Sequence, residues 1–270
     1  MFALEKMSLI ITTRCNLQCK MCCEYVPHYR PFPDMSLEEE RRILDAVFEV
    51  CDHVDILHLT GGGEPFLHKQ LAKMIEMAME YKEKFNKLML FTNCTLPLLS
   101  EVFDTLNLYK EKIFVQLSRY GIKPDREEEF VQAIKSADIP NRVRKYYGDE
   151  QAFGGWISFG AWEKQGRSED ELSKRFANCA VTRDLHGNWR TRDGKVHWCS
   201  RSQRGMELGL LPDSPKDYVD LFESTTIAEK RAKFNNIAQK KFISACDYCS
   251  GDQGTDDASL RILAAEQMEK

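Results

Sequence analysis

The stretch Cys15-Asn16-Leu17-Gln18-Cys19-Lys20-Met21-Cys22 places three cysteines at a Cys-x3-Cys-x2-Cys spacing. It follows Ser8–Thr13, an apolar and β-branched run that predicts a buried strand. Three thiolates at this spacing can bind three irons of a 4Fe-4S cube, whose irons take one cysteine each. The fourth iron then has no protein ligand, which is typical of a site where something else binds. Zinc would need a fourth local ligand, and the side chain of Cys23 is expected to diverge from that of Cys22.

A second motif, Thr60-Gly61-Gly62-Gly63-Glu64-Pro65, follows the next predicted strand. Glycines let backbone groups approach a ligand closely. Together the two motifs resemble the signature of the radical S-adenosylmethionine (SAM) superfamily. The resemblance implies that Cys15, Cys19 and Cys22 hold a SAM-binding 4Fe-4S cluster, and that Gly61, Gly62, Gly63 and Glu64 hold the amino group of SAM.

Weaker similarities lie at two later predicted strand ends. Asn93, Ser118 and Arg119 occupy positions where relatives bind the ribose and carboxylate of SAM, although ordinary strand-end caps would look the same. Two residues depart from the family pattern. Met21 stands where an aromatic residue is usual, and Cys94 stands where many relatives carry glycine.

The strand-and-helix rhythm between residues 8 and 146 predicts an α/β fold with a parallel sheet. We predict strands at 8–13, 55–59, 87–91, 112–117 and 142–146, and helices from Ser36 and over about 68–81, 98–106 and 126–136. With the family resemblance, this predicts a partial (β/α)6 radical SAM barrel over residues 1–169. The rhythm breaks in a glycine-punctuated stretch, residues 148–166, after which we expect a hairpin at Asp193-Gly194 and a helix over about 226–240.

Four further cysteines form a second set, Cys179, Cys199, Cys246 and Cys249. With Gly194 they reproduce the Cys-x14-Gly-x4-Cys opening and the later Cys-x2-Cys of SPASM and twitch modules. No cysteine follows Cys249, so the resemblance is to the shorter twitch module, over residues 170–270. It implies one auxiliary 4Fe-4S cluster, which four thiolates saturate and which is therefore suited to electron transfer. A zinc site with the same four ligands is the alternative.

Basic residues surround this second set, and two interpretations are open. They could grip an anionic substrate such as a phosphate. They could instead balance the negative charge of the auxiliary cluster, which we favour. The residues are Arg183, Arg190, Arg192, Lys195, Arg201 and Arg204.

Composition narrows the functional classes. The net charge of −4 over 270 residues, without a lysine or arginine block, argues against nucleic-acid binding. No apolar run approaches the roughly 18 residues of a membrane span, and the first residues lack a signal-peptide pattern. We therefore expect a cytoplasmic protein without a membrane partner, in which grouped cysteines hold metal rather than form disulfides.

The resemblance implies that SAM is cleaved to a 5'-deoxyadenosyl radical, which abstracts hydrogen from a substrate carbon. Twitch-type dehydrogenases of aminocyclitols and sugars are similar in length and cluster complement. We therefore predict oxidation of an alcohol to a ketone on a small, carbohydrate-like substrate, including nucleotide-linked ones, with a flavodoxin- or ferredoxin-type reductant. The alternatives are a sugar epimerase with Cys94 as catalytic hydrogen donor, and a maturase of a ribosomally made peptide.

Overall fold

A computed structural model describes residues 1–149, 151–152, 156–160, 162–251 and 261–269. Residues 153–155, within the glycine-punctuated stretch, lie outside this description. The first part of the chain alternates strands with helices, as predicted. These elements are β1 Ala3–Thr12, α1 Leu37–Val50, β2 His53–Gly61, α2 Leu71–Met79, β3 Phe85–Thr92, α3 Ser100–Leu108, β4 Ile113–Arg119, α4 Pro124–Ser136 and β5 Asn141–Lys145.

Most of the remaining elements are shorter, and the sequence predicted only the hairpin and the long helix among them. They are β6 Trp156–Ile157, α5 Glu169–Asn178, α6 Ala180–Arg183, β7 Trp189–Thr191, β8 Lys195–His197, α7 Ser200–Glu207, β9 Tyr218–Asp220, α8 Ile227–Ala238 and β10 Arg261–Ile262. The hairpin between β7 and β8 turns at Gly194, whose φ of 96° lies in the left-handed region that favours glycine. The predicted hairpin and α8 are both present.

Local sequence explains the first strand and helix. Every residue from Met7 to Thr12 of β1 is buried, as expected for a central parallel strand. The α1 helix begins after Ser36, whose hydroxyl accepts a hydrogen bond from the Glu39 amide while the Glu39 carboxylate accepts one from the Ser36 amide. This reciprocal capping box is the one that the sequence predicted.

One sheet of eight strands runs through the molecule in the order β5-β4-β3-β2-β1-β7-β8-β9. The strands β1 to β5 are parallel neighbours, and β7 adds a sixth parallel strand on the other side of β1. Both β8 and β9 pair antiparallel. The predicted α/β class with a partial parallel barrel is confirmed, and the carboxyl ends of β1 to β4 meet at one edge.

The main hydrophobic core extends beneath both parts of the chain. It contains Leu57 of β2 and Val47 of α1 together with Trp189 of β7 and Phe234 of α8. The sheet and the core are continuous across residue 170. The predicted domain boundary there therefore stays a prediction, and it concerns the separate functions of the two parts of the chain. No helix in the described part of the chain is long and apolar enough to span a membrane.

Candidate active site

The glycine-rich segment after β2 lies directly against the loop that leads to Cys15. The Glu64 amide donates to the Arg14 carbonyl oxygen over 2.8 Å. A Cβ on Gly63 would stand 1.9 Å from that same oxygen, so no larger residue fits. The sequence assigned this glycine to the approach of a ligand. The structure gives it another reason, the contact between two backbone segments, and its role in holding SAM stays a prediction.

The first cysteine set gathers at the carboxyl end of β1. Cys15, Cys19 and Cys22 lie in one small apolar cluster, and burial raises the pKa of Cys15 to about 12 and that of Cys19 to about 11. Such thiols stay protonated until a metal displaces the proton. Three soft thiol donors in one cluster suit the iron-sulfur cluster that the spacing predicts. The other members of the cluster are Leu17, Tyr120, Ile122, Trp156 and Ala265.

The position of Cys23 differs from the sequence expectation. Its thiol hydrogen-bonds to that of Cys22, which lowers the pKa of Cys22 and raises that of Cys23. The expectation that the two side chains diverge is therefore wrong. The reason is local: the Cys22 amide donates to Cys19 and the Tyr25 amide donates to Cys22, so the chain forms successive turns. Side chains in turns do not alternate as they do along a strand.

Glu64 and Asn93 connect the ends of β2 and β3 to the cysteine loop. The buried Glu64 carboxylate accepts a hydrogen bond from the backbone amide of Asn93 over 2.7 Å. Burial raises the pKa of this carboxyl group to about 7. The side-chain amide of Asn93 donates to Asn16 Oδ1 at 3.0 Å and lies 3.9 Å from Cys15 Sγ. Asn93 therefore contacts Cys15, the first member of the cysteine set, and Glu64 is bound to the backbone of Asn93.

Ser118 and Arg119 lie at the end of β4, and Ser118 is connected to the first cysteine set through one intermediate residue. The Ser118 hydroxyl contacts the phenol of Tyr120, whose ring packs on the cysteine cluster. The Arg119 guanidinium instead donates to Glu128 of α4 over 2.7 Å. The structure thus brings Ser118 near the cysteine set and places Arg119 against α4, and the SAM contacts of both remain predictions.

Cys94 is buried in the main core rather than facing an open space. Its exposed fraction is 0%, and its backbone φ of 59° is in the left-handed region. This conformation explains why glycine suits the position in relatives. Burial raises the pKa of the thiol, and the thiol hydrogen points to the Thr92 carbonyl at 3.8 Å.

The second cysteine set lines one cavity. Cys179 follows α5, Cys199 precedes α7, and Cys246 and Cys249 lie in and after the turn at residues 244–248. The lining of this cavity also includes Arg175, Phe176, Trp198, Arg201 and Ile243. Of these, Arg175 carries a charge that the sequence analysis did not single out, because nothing in its local pattern marks it.

The basic segment is largely neutralised within the protein. Arg190 is buried and donates to both carboxylate oxygens of Glu24, at 2.6 and 2.7 Å. Arg204 is fully buried and pairs with Glu207, which also contacts Arg192. Of the six basic residues, only Arg201 lines the cavity of the second set. Arg190 and Arg204 already have carboxylate partners, and the interpretation that nearby arginines balance an auxiliary cluster stays a prediction.

An aromatic contact joins the two cysteine sets. Tyr25, one turn after Cys22, meets Trp162 edge-on with ring centroids 5.4 Å apart. The guanidinium carbon of Arg201 lies 3.4 Å from the Trp162 ring centroid. Tyr25 adopts a φ of 62°, which is rare for a bulky residue and marks a constrained turn. Neither Tyr25 nor the pairing of Trp162 with Arg201 was predicted from sequence.

These geometries agree with the comparison to known families. The profile described as the radical SAM superfamily matches residues 9–144, half of the chain. The chain belongs to the radical SAM superfamily. Enzymes of this superfamily use a 4Fe-4S cluster and SAM. In this radical SAM enzyme, the cysteine loop and glycine-rich segment both lie inside the matched region.

One curated relative and two solved structures are similar to this radical SAM enzyme. An S-adenosylmethionine-dependent nucleotide dehydratase from Selenomonas ruminantium is 33% identical over 116 residues, 40% of this chain and 39% of that protein. The chain therefore matches well under half of that relative's length. Native anSMEcpe with bound AdoMet and the Cp18Cys peptide aligns over 97% of this chain and 93% of its own, with 15% identity and a TM-score of 0.56. BtrN in complex with AdoMet and 2-DOIA aligns over 98% of both chains, with 14% identity and a TM-score of 0.55. These two likenesses concern the fold.

Proposed function

We propose that this radical SAM enzyme oxidises an alcohol carbon of a carbohydrate-like small molecule to a ketone. The substrate class includes sugars and aminocyclitols, free or linked to a nucleotide. The supporting observation is the second cysteine set, in which four thiols surround a single cavity. Four thiolates leave no open iron, so a cluster held there is suited to accepting an electron.

The spacing of the second set favours a cluster over zinc, since Cys179, Gly194, Cys199 and the later Cys246 and Cys249 follow the pattern of twitch modules. Four cysteines can also bind zinc, so the ligand count alone does not separate the two metals. Either group would lie in the cavity that the four cysteines line.

The protein residues define two separate tasks. Cys15, Cys19 and Cys22 would hold the cluster that, together with SAM, would supply a radical able to take one hydrogen atom from a substrate carbon. To complete the oxidation, the substrate loses one electron to the site of the second set and its hydroxyl proton to a base. Between the two sets lie Tyr25, Trp162 and Arg201, which form a packed connection.

Dehydration is the second candidate, because the curated relative is named a nucleotide dehydratase. Both reactions begin with loss of hydrogen from a carbon. Dehydration then expels water and adds one electron, from the flavodoxin- or ferredoxin-type reductant, and one proton to the substrate radical, whereas oxidation removes one electron and one proton from it. The two products therefore differ in mass, because oxidation removes two hydrogen atoms from the substrate and dehydration removes one water molecule.

Epimerisation through Cys94 is disfavoured by burial. A thiol that gives hydrogen to a substrate carbon must reach that carbon, and the Cys94 side chain is enclosed in the core. The likeness to anSMEcpe, solved with a peptide, and to BtrN, solved with 2-DOIA, is nearly equal in TM-score. A substrate screen should therefore include peptides beside sugars, aminocyclitols and nucleotides.

The reaction is tested with anaerobically reconstituted protein, SAM, dithionite and this substrate panel in deuterium oxide. The expected result is 5'-deoxyadenosine together with a product that has lost two hydrogens and carries no deuterium at the new carbonyl. A product that has lost water identifies dehydration. Deuterium on carbon in a product otherwise unchanged in mass identifies epimerisation, and either outcome rejects the proposed oxidation.

The auxiliary cluster is tested by replacing Cys15, Cys19 and Cys22 together with alanine. About one 4Fe-4S cluster per chain should remain, and SAM cleavage should stop. The matched control is Cys51→Ala, which removes a buried core cysteine outside both sets and should retain both clusters. Iron near zero with bound zinc in the triple variant would contradict the assignment of the second set.

A further inference from the structure

Residues 264–268 dock on the loop that carries the first cysteine set. The Lys20 amide donates to the Glu266 carbonyl over 2.8 Å, and the Met268 amide donates to the Gln18 carbonyl over 2.7 Å. Between these bonds, Cys19 and Gln267 form an antiparallel bridge although they are 248 positions apart. The central cysteine of the set is thus held by backbone pairing to a distant segment.

The side chain of Gln267 makes the contact more specific. Its oxygen Oε1 accepts the Gln18 backbone amide over 2.7 Å. Its nitrogen Nε2 donates to Cys19 Sγ at 3.3 Å and to the Ala265 carbonyl at 2.6 Å. Because the oxygen faces an N–H donor and the nitrogen faces a carbonyl, the amide has only one consistent orientation. That orientation directs an N–H group at the sulfur of Cys19.

A second feature shows that this docking is constrained. Ala265 has a φ of 54°, a conformation that non-glycine residues adopt rarely. Its side chain is buried with Cys19 and Leu17. Such strain persists where the surrounding contacts hold it in place. The chain therefore accepts an unfavourable backbone at Ala265 to bring Gln267 onto the cysteine loop.

We propose that Gln267 is a positioning residue for the SAM-cleaving cluster, acting through its hydrogen bond to the sulfur of Cys19. The inference rests on the assignment of Cys15, Cys19 and Cys22 as cluster ligands. Hydrogen bonds to ligand sulfurs tune the reduction potential of a cluster. One-electron reduction increases the negative charge on the ligands, so an N–H donor stabilises the reduced state more. The bond therefore makes the cluster easier to reduce.

The test is an electron paramagnetic resonance (EPR) redox titration of the reconstituted full chain. The first cluster is identified as the one whose reduced signal changes when SAM is added. Gln267→Met removes all three side-chain hydrogen bonds at similar length, and Gln267→Glu keeps the acceptor for Gln18 but has no donor for sulfur. Both variants should shift the midpoint potential to a more negative value, and the charged glutamate should shift it further.

Glu266→Gln is the matched control within the same segment. Its side chain pairs with Lys20 at the surface, and its backbone carbonyl is unaffected, so the potential should equal that of the wild type. Unchanged potentials in both Gln267 variants at full iron content would overturn the proposal. Loss of the first cluster alone in a Gln267 variant, with the second retained, supports it as loss of ligand positioning.

A measurement on the wild type covers the case in which the variants fail to fold. Hydrogen-deuterium exchange should show protected amides at Lys20 and Met268, and rapid exchange at both would overturn the docking. Failure of the underlying cluster assignment has a different signature. It would appear as a wild-type protein without any SAM-responsive signal, whatever residue occupies position 267.

Discussion

At the scale of single residues, Glu40 is a buried carboxyl group on α1 with neither oxygen hydrogen-bonded in the described structure. Burial raises its pKa to about 9, with Glu80 adding to the effect and Arg41 opposing it. Because the folded state holds this proton more tightly, stability should fall as pH rises from about 4.5 through 9. Glu40→Gln should remove this pH dependence and raise the free energy of unfolding by on the order of 2–3 kcal/mol at pH 7. Urea unfolding between pH 5 and pH 9 measures the free energy of unfolding of both proteins. Glu49→Gln, at an exposed position of α1, should leave the slope in place, and identical slopes in both variants would contradict the assignment.

Gly63 offers a second residue-scale prediction, which concerns the first cysteine set. A methyl group there would collide with the Arg14 carbonyl and push the glycine-rich segment away from the cysteine loop. Gly63→Ala should cost about 1–3 kcal/mol and lower the iron content of the first cluster. Its neighbour provides the control, because a Cβ on Gly62 meets only side-chain atoms, of Glu24 at 3.3 Å and of Ile10 and Thr13 at 3.5 Å. Iron analysis and chemical denaturation of both variants make the comparison, and equal behaviour would show that the Arg14 contact does not order the loop.

At the scale of elements, two capping boxes allow a matched comparison. Ser168 caps α5, which ends at the predicted ligand Cys179, whereas Ser36 caps α1, which carries no predicted ligand. Replacing either serine with alanine should cost about 1 kcal/mol of stability. Only Ser168→Ala should hasten loss of iron from the second cluster, because fraying of α5 releases Cys179. The rate of iron release to a chelator measures the difference. Equal rates in the two variants would show that α5 does not hold Cys179 in place.

Elements with strong local signals were predictable from sequence. The apolar run of β1, the capping box of α1 and the glycine of the β7–β8 hairpin each determine their structure within a few residues. The place of β7 beside β1 was not predictable, since a three-residue strand has no periodicity and its partner lies far away in sequence. The same limit applies to the site. Spacing indicated both cysteine sets, but the contacts of Glu24, Trp162 and Gln267 depend on tertiary packing and leave no local pattern.

At the scale of the whole molecule, the continuous sheet predicts how the chain responds to truncation. Removing everything after residue 169 would strip β7 from β1 and take Trp189 and Phe234 out of the shared core. A bare, apolar central strand is prone to aggregation. Residues 1–169 alone should therefore be recovered mostly as insoluble protein, as measured by fractionation and size-exclusion chromatography. A soluble, monomeric and cooperatively unfolding fragment would show that the barrel folds independently.

The pairing of Met7 with Trp189 and of Leu9 with Thr191 also constrains which substitutions the protein can accept during evolution. A substitution that alters the volume of β1 on its β7 side must be matched by one in β7, although the two strands serve different cysteine sets. The two parts of the chain therefore cannot evolve or be exchanged independently. A protein designer who moves the second cysteine set onto another barrel must also transfer the β1 residues that pair with β7.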